Sequence, residues 1–170
     1  KEIGKDAFHW CPNVNKVMID GIESWCQIDF ENENSNPLQF GADMYINGIK
    51  NTMITIPDGI TEIKPFAFCR SWTNEDSKTA IISIQLPATV TSIGESAFAY
   101  NHLQSINIPD SVKKIGKQAF AGNYFSTIKI SENVDTIGDG AFSKCKELQK
   151  IKIPNKAQNL GEALFSGCTK

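Results

Sequence analysis

The motif Gly-x-x-Ala-Phe-Ala-x-Asn occupies Gly94 to Asn101 and returns 22 residues later at Gly116 to Asn123. Ala-Phe pairs carry the recurrence along the chain, at Ala7-Phe8, Ala67-Phe68, Ala97-Phe98, Ala119-Phe120 and Ala141-Phe142, with Leu164-Phe165 as a variant. From Phe68 onward the phenylalanines are spaced 30, 22, 22 and 23 residues apart. An Ile-Pro element keeps the same step at Ile56-Pro57, Leu86-Pro87, Ile108-Pro109, Ile130-Ser131 and Ile153-Pro154. Periods of this length mark chains built from stacked supersecondary units.

Within a unit, Leu103, Ile106 and Ile108 end at Pro109, and Val112 and Ile115 end at Gly116. Branched aliphatics bounded by Pro and Gly read as short strands, since proline donates nothing to a ladder and glycine permits a tight turn. The stretch "GKQAFAGN" is too short for a free helix and reads as a turn or a single helical turn. About six apolar side chains cannot offset the ordering of a whole unit, so burial must be shared between neighbouring coils. Strands stacked about 4.8 Å apart also satisfy one another's peptide groups. The recurrence predicts a right-handed solenoid, mainly β with short turns, of about 22–23 residues per coil.

Three residues after each phenylalanine the chain reads Cys11, Ser71, Asn101, Asn123, Cys145 and Cys168. Asparagine and serine there hydrogen-bond backbone from inside a turn, and a small buried thiol fills the same space. This assigns three of the five cysteines as reduced ladder residues, a disulfide or metal role being the alternative. No C-x-x-C pair is present to suggest a zinc ribbon or redox motif. His9 beside Cys11 suggests a nucleophile pair only weakly, since no third group orients it. Asp29 and "ENEN" at 31–34 offer oxygen donors but no defined calcium spacing.

The repeating residues resemble the BspA-type leucine-rich repeat of bacterial surface and secreted proteins. The likeness rests on "LQSINIPDSVKKIGKQAFAGN" at 103–123, "FSTIKISENVDTIGDGAFSKC" at 125–145 and "LQKIKIPNKAQNLGEALFSGC" at 148–168. "ITIPDGITEIKPFAF" at 54–68 and "ISIQLPATVTSIGESAFAYN" at 82–101 match as well. Ser131 stands in place of proline, Ala157 in place of valine, and Lys64-Pro65 where Gly-x is usual. The resemblance implies a non-catalytic module that binds an extracellular protein or glycan, serving adhesion to host or neighbouring cells. The alternative is a structural spacer that presents another domain.

The whole chain, 1–170, reads as one solenoid fragment with both ends cut within repeats. Two interruptions are expected. In residues 20–55, Ile22 and Trp25 can fill the Val and Ile slots of a coil, "ENENSNP" at 31–37 reads as a polar loop, and Asn47-Gly48 signals a hairpin. The second is a loop at 71–80, where Trp72 is a candidate ligand contact.

Alternation places two rows of side chains outward, one member per coil. Between the inward isoleucines stand Met18, Thr55, Gln85, Asn107, Lys129 and Lys152; one step earlier stand Lys16, Met53, Ser83, Ser105, Thr127 and Lys150. From Gln85 and Ser83 onward these are the candidate ligand-facing residues, on a scaffold suited to broad recognition. Seventeen basic against nineteen acidic residues, a net charge of -2, give no basis for nucleic-acid binding. No apolar run approaches the length of a membrane span. No phosphate-cradling, metalloprotease or nucleophile-elbow motif occurs, so neither an enzyme nor a cofactor is expected.

Overall fold

The computed structural model describes residues 1–71 and 80–170. Its coils stack along one axis with three parallel features running from coil to coil. The first is a ladder of two-residue strands, Glu62–Ile63, Ser92–Ile93, Lys114–Ile115, Thr136–Ile137 and Asn159–Leu160, paired in parallel in that order. Ile63, Ile93, Ile115, Ile137 and Leu160 share one register position. The four isoleucines are buried, and a slip of one residue would turn the whole row to solvent.

The second feature is the Ile-x-Ile face. Met53–Thr55 pairs in parallel with Ser83–Gln85, and Thr127–Lys129 with Lys150–Lys152. The expected strand at 103–108 is irregular. Leu103 and Ile108 remain buried and Ile106 is half-buried. This coil is held by those side chains and by the Leu103 N–H, which donates to Asn123 Oδ1 at 3.1 Å.

The third feature is the corner after each Ile-Gly, and it is a double turn, not a helical one. Two positions per coil take left-handed backbone: Ser96 and Tyr100, Gln118 and Gly122, Gly140 and Lys144, Ala163 and Gly167. Non-glycine residues rarely adopt this region. Coil-to-coil hydrogen bonds hold them there: Ser96 N–H to Lys117 O at 2.8 Å, Phe98 N–H to Ala119 O at 2.9 Å and Tyr100 N–H to Ala121 O at 2.7 Å. Inside the corner the phenylalanines form a single column. Phe68, Phe98, Phe120 and Phe142 follow one another at centroid spacings of 5.6, 5.5 and 5.5 Å, and Phe165 continues at 6.1 Å.

The N-terminal part contains a longer coil. Lys16–Ile19 pairs in parallel with Asp43–Ile46, and between them lie the helix Ile22–Cys26, the strand Asp29–Phe30 and two 3-10 turns. The helix replaces the expected strand-like slots: Ile22, Trp25 and Cys26 share one helical face, which turns Trp25 and Cys26 inward. Phe30 takes the isoleucine slot opposite Ile3. The 31–37 stretch is not a solvated loop either, because Ser35, Asn36 and Pro37 are buried. The Asn36 amide donates to Phe66 O at 2.7 Å and Ala67 O at 3.0 Å, and Trp25 Nε1 donates to Ala67 O at 2.8 Å. Asp43–Ile46 then turns at Asn47-Gly48 into Ile49–Lys50, antiparallel to it, with both turn residues at positive φ.

The glycines before each Ala-Phe serve close approach. A Cβ on Gly116 would sit 2.6 Å from the carbonyl carbon of Gly94, and one on Gly138 would sit 2.5 Å from the amide nitrogen of Lys117. Gly116→Ala must therefore push two coils apart and is expected to cost about 3 kcal/mol. Gly21→Ala, where a Cβ meets nothing within 4 Å and only a glycine N-cap of the helix is lost, is expected to cost no more than about 1 kcal/mol. Urea unfolding of the two variants checks the difference.

Candidate functional site

The outward rows stand where alternation places them. Thr55, Gln85, Asn107, Lys129, Lys152, Ser105, Thr127 and Lys150 are exposed and Ser83 is half-buried. Register brings Ser83 beside Met53, Gln85 beside Thr55, Thr127 beside Lys150, and Lys129 beside Lys152. Thr55 Oγ1 donates to Gln85 Oε1 at 3.3 Å. The irregular segment carrying Ser105 and Asn107 divides the face, and a cleft of about 240 Å³ opens there between Asn107, Asp110, Lys129 and Ser131. Lys152 lies 2.6 Å from Glu132, and that hydrogen bond holds the Glu132 carboxyl below its usual range. Ser131, the departure from proline, accepts the Asn133 N–H at 3.2 Å and donates to Asp110 Oδ1 at 2.8 Å, so it shapes the same turn by hydrogen bonds. Trp72 lies outside the described residues.

At the N-terminal end the same rows carry exposed methionines. Met18 is 72% exposed and Met53 is 65% exposed. Tyr45 stands beside Met18 across the ladder, with Lys16 Nζ 5.5 Å from the centre of its ring. The face thus carries methionine and tyrosine beside Lys16 at one end and lysines with Thr127 at the other.

Beneath the corner, the ladder residues behave in two ways. The Asn101 amide donates to Phe68 O at 2.7 Å and Phe98 O at 3.2 Å, while its oxygen accepts the Ile81 N–H at 3.1 Å. Asn123 repeats this with Phe98 O at 2.9 Å, Phe120 O at 3.0 Å and the Leu103 N–H at 3.1 Å. Cys145 Sγ donates to Phe120 O at 3.4 Å and Cys168 Sγ to Phe142 O at 3.3 Å. A thiol therefore keeps the donor half of the asparagine role and gives up the acceptor half. Burial pushes the Cys145 thiol up to about 12 and the Cys26 thiol up to about 11. Cys11 departs from the ladder: its Sγ points to the carbonyl of His9 at 3.8 Å.

The chemistry considered at 29–34 does not converge. Asp29 pairs with Lys64 at 2.8 Å, and the amides of Asn32 and Asn34 donate to Asp6 at 2.9 and 3.0 Å. Among the described residues no group of three or more His, Cys, Asp or Glu is placed to hold a metal ion. No helix among them is long and apolar enough to cross a membrane. One feature escaped sequence reasoning: at the corner Tyr100, His102, Tyr124 and Lys144 line a common groove. Its signal was the recurrence of ring and cation two and four residues after the column phenylalanines.

Six copies of a repeat described as the BspA type leucine rich repeat region match residues 1–77 and 76–170. The chain belongs to this family. A solved leucine-rich repeat protein from Bacteroides ovatus ATCC 8483 is similar to it, at 38% identity and a TM-score of 0.60, over 71% of this chain and 30% of that one. A leucine rich cell surface protein from Faecalibacterium prausnitzii A2-165 has 19% identity and a TM-score of 0.37, over 99% of this chain and 55% of that one. Among curated proteins none matches. The stacked phenylalanine column and the parallel ladder are thus those of a BspA-type leucine-rich repeat solenoid, a fold that works as a repeat-based interaction module.

Two outcomes follow for the ladder. Asn123→Ala strands the Leu103 N–H, while the Phe98 and Phe120 carbonyls keep the Asn101 amide and the Cys145 thiol, and is expected to cost about 2 kcal/mol, against about 1 kcal/mol for Cys145→Ala; thermal unfolding compares them. Iodoacetamide at neutral pH is expected to leave Cys26 and Cys145 unmodified in the folded chain and to alkylate both in urea, since only the thiolate reacts. Peptide mass mapping reads the result.

Proposed function

We propose that this chain is a non-catalytic adhesion module of a surface-attached or secreted bacterial protein, binding an extracellular protein through its outward rows. The observation that carries this reading is the exposure of Met18 and Met53 in the same rows as Lys129, Lys150 and Lys152. Methionine is an adaptable apolar contact, and protein interfaces combine apolar anchors with a polar, charged rim. The core beneath is closed and the paired strands on either side of 103–108 are parallel and in register, so each half of the face is a pre-organised surface that loses little freedom on binding. The extracellular setting is the one the family resemblance implies.

Surface plasmon resonance over immobilised, purified extracellular-matrix proteins tests the reading. Saturable binding is expected, weakened at least about tenfold in Met18→Glu/Met53→Glu and again in Lys129→Glu/Lys152→Glu. Binding to none of them, or binding indifferent to both variants, would overturn it in favour of a spacer.

A further inference from the structure

The corner groove lies apart from the outward rows and has its own chemistry. It encloses about 320 Å³, near the lower end of the roughly 300–1,000 Å³ typical of small-ligand sites. Tyr100, Tyr124 and Lys144 line it, together with the buried Asn101 and Asn123 at its floor. The Tyr100 ring lies against the next coil at Gly122, where an added Cβ would come within 2.4 Å of it. Glycine there leaves the ring its place. Lys144 Nζ, one coil further, donates to the Tyr100 hydroxyl at 3.2 Å and stands 5.4 Å from the ring centre. Tyr124, in the same lining, is 39% exposed and is set on edge by His102, at 5.1 Å and 82° between planes.

Four N–H groups of the corner are already committed. Tyr100 N–H donates to Ala121 O at 2.7 Å, Gly122 N–H to Ser143 O at 2.8 Å, Tyr124 N–H to Leu103 O at 2.9 Å and Lys144 N–H to Ser166 O at 2.7 Å. The floor asparagines spend their amides on the fold. A peptide joining by strand addition finds none of these four N–H groups free to pair with it. What faces the groove is ring surface, two phenol hydroxyls, the Ser71 hydroxyl and the side chains of Lys144 and Lys146, the Lys144 ammonium having N–H donors beyond its bond to Tyr100.

We propose that this groove binds a carboxylated sugar, a uronic acid unit of an oligosaccharide. The Tyr124 ring packs on the C–H face of the sugar, the Tyr100 hydroxyl bonds to its hydroxyls, and the Lys144 ammonium pairs with its carboxylate. This goes beyond the protein-binding reading above and uses none of its residues.

The test is titration of the whole chain with a galacturonic acid trimer, its methyl ester and a hexaglutamate peptide, followed by calorimetry and by backbone amide NMR. The expected result is binding of the trimer with shifts centred on Tyr100, Gly122, Tyr124 and Lys144, and at least about tenfold weaker binding of the ester. Tyr124→Ala and Lys144→Asn are each expected to weaken the trimer at least about tenfold; asparagine accepts the left-handed backbone at 144. A trimer that shifts none of these amides, an ester that binds equally well, or a peptide that binds tighter would overturn the proposal. The NMR map of the unaltered chain decides even if a variant misfolds.

Discussion

Ring stacking in the corner sets the spacing on which the rest of the solenoid depends. Centroids 5.5–5.6 Å apart from Phe68 to Phe142, at interplanar angles of 7–20°, hold consecutive coils at a nearly constant separation. That separation lets two-residue strands pair, although two residues alone make a marginal ladder. It also brings backbone against backbone at Gly94, Gly116, Gly138 and Gly161, where a side chain has no room. Rings, ladder and glycines are one constraint met three times per coil.

Polar groups inside such a core must be answered, and asparagine does this with one side chain reaching three peptide groups. Where Cys145 and Cys168 take its place, only the bond to the preceding coil's phenylalanine carbonyl is kept. The high thiol pKa of Cys145 follows from the same enclosure. These cysteines are parts of the scaffold, and their chemistry is held quiet by lack of solvent.

The period was legible because one phenylalanine and one glycine recur at fixed offsets, and the family resemblance rested on the same positions. Burial of Ile54, Ile84 and Ile128 made their neighbours' exposure legible too. The left-handed corner was not, since Ser96, Gln118, Gly140 and Ala163 share no side-chain chemistry, and the first three are held by hydrogen bonds to another coil. The helix Ile22–Cys26 escaped because apolar residues at 22, 25 and 26 suit a coil slot as readily as a helical face. The groove of Tyr100, Tyr124 and Lys144 draws on three coils, and each residue alone reads as an ordinary loop side chain.

The committed N–H groups of the corner have an evolutionary consequence. At Lys144 and Tyr124 a substitution alters what the surface meets while leaving the bonds that hold the coil unchanged. Duplicating a coil and then drifting at these few places would give a lineage new recognition chemistry on an inherited frame, with no need to solve the folding problem a second time.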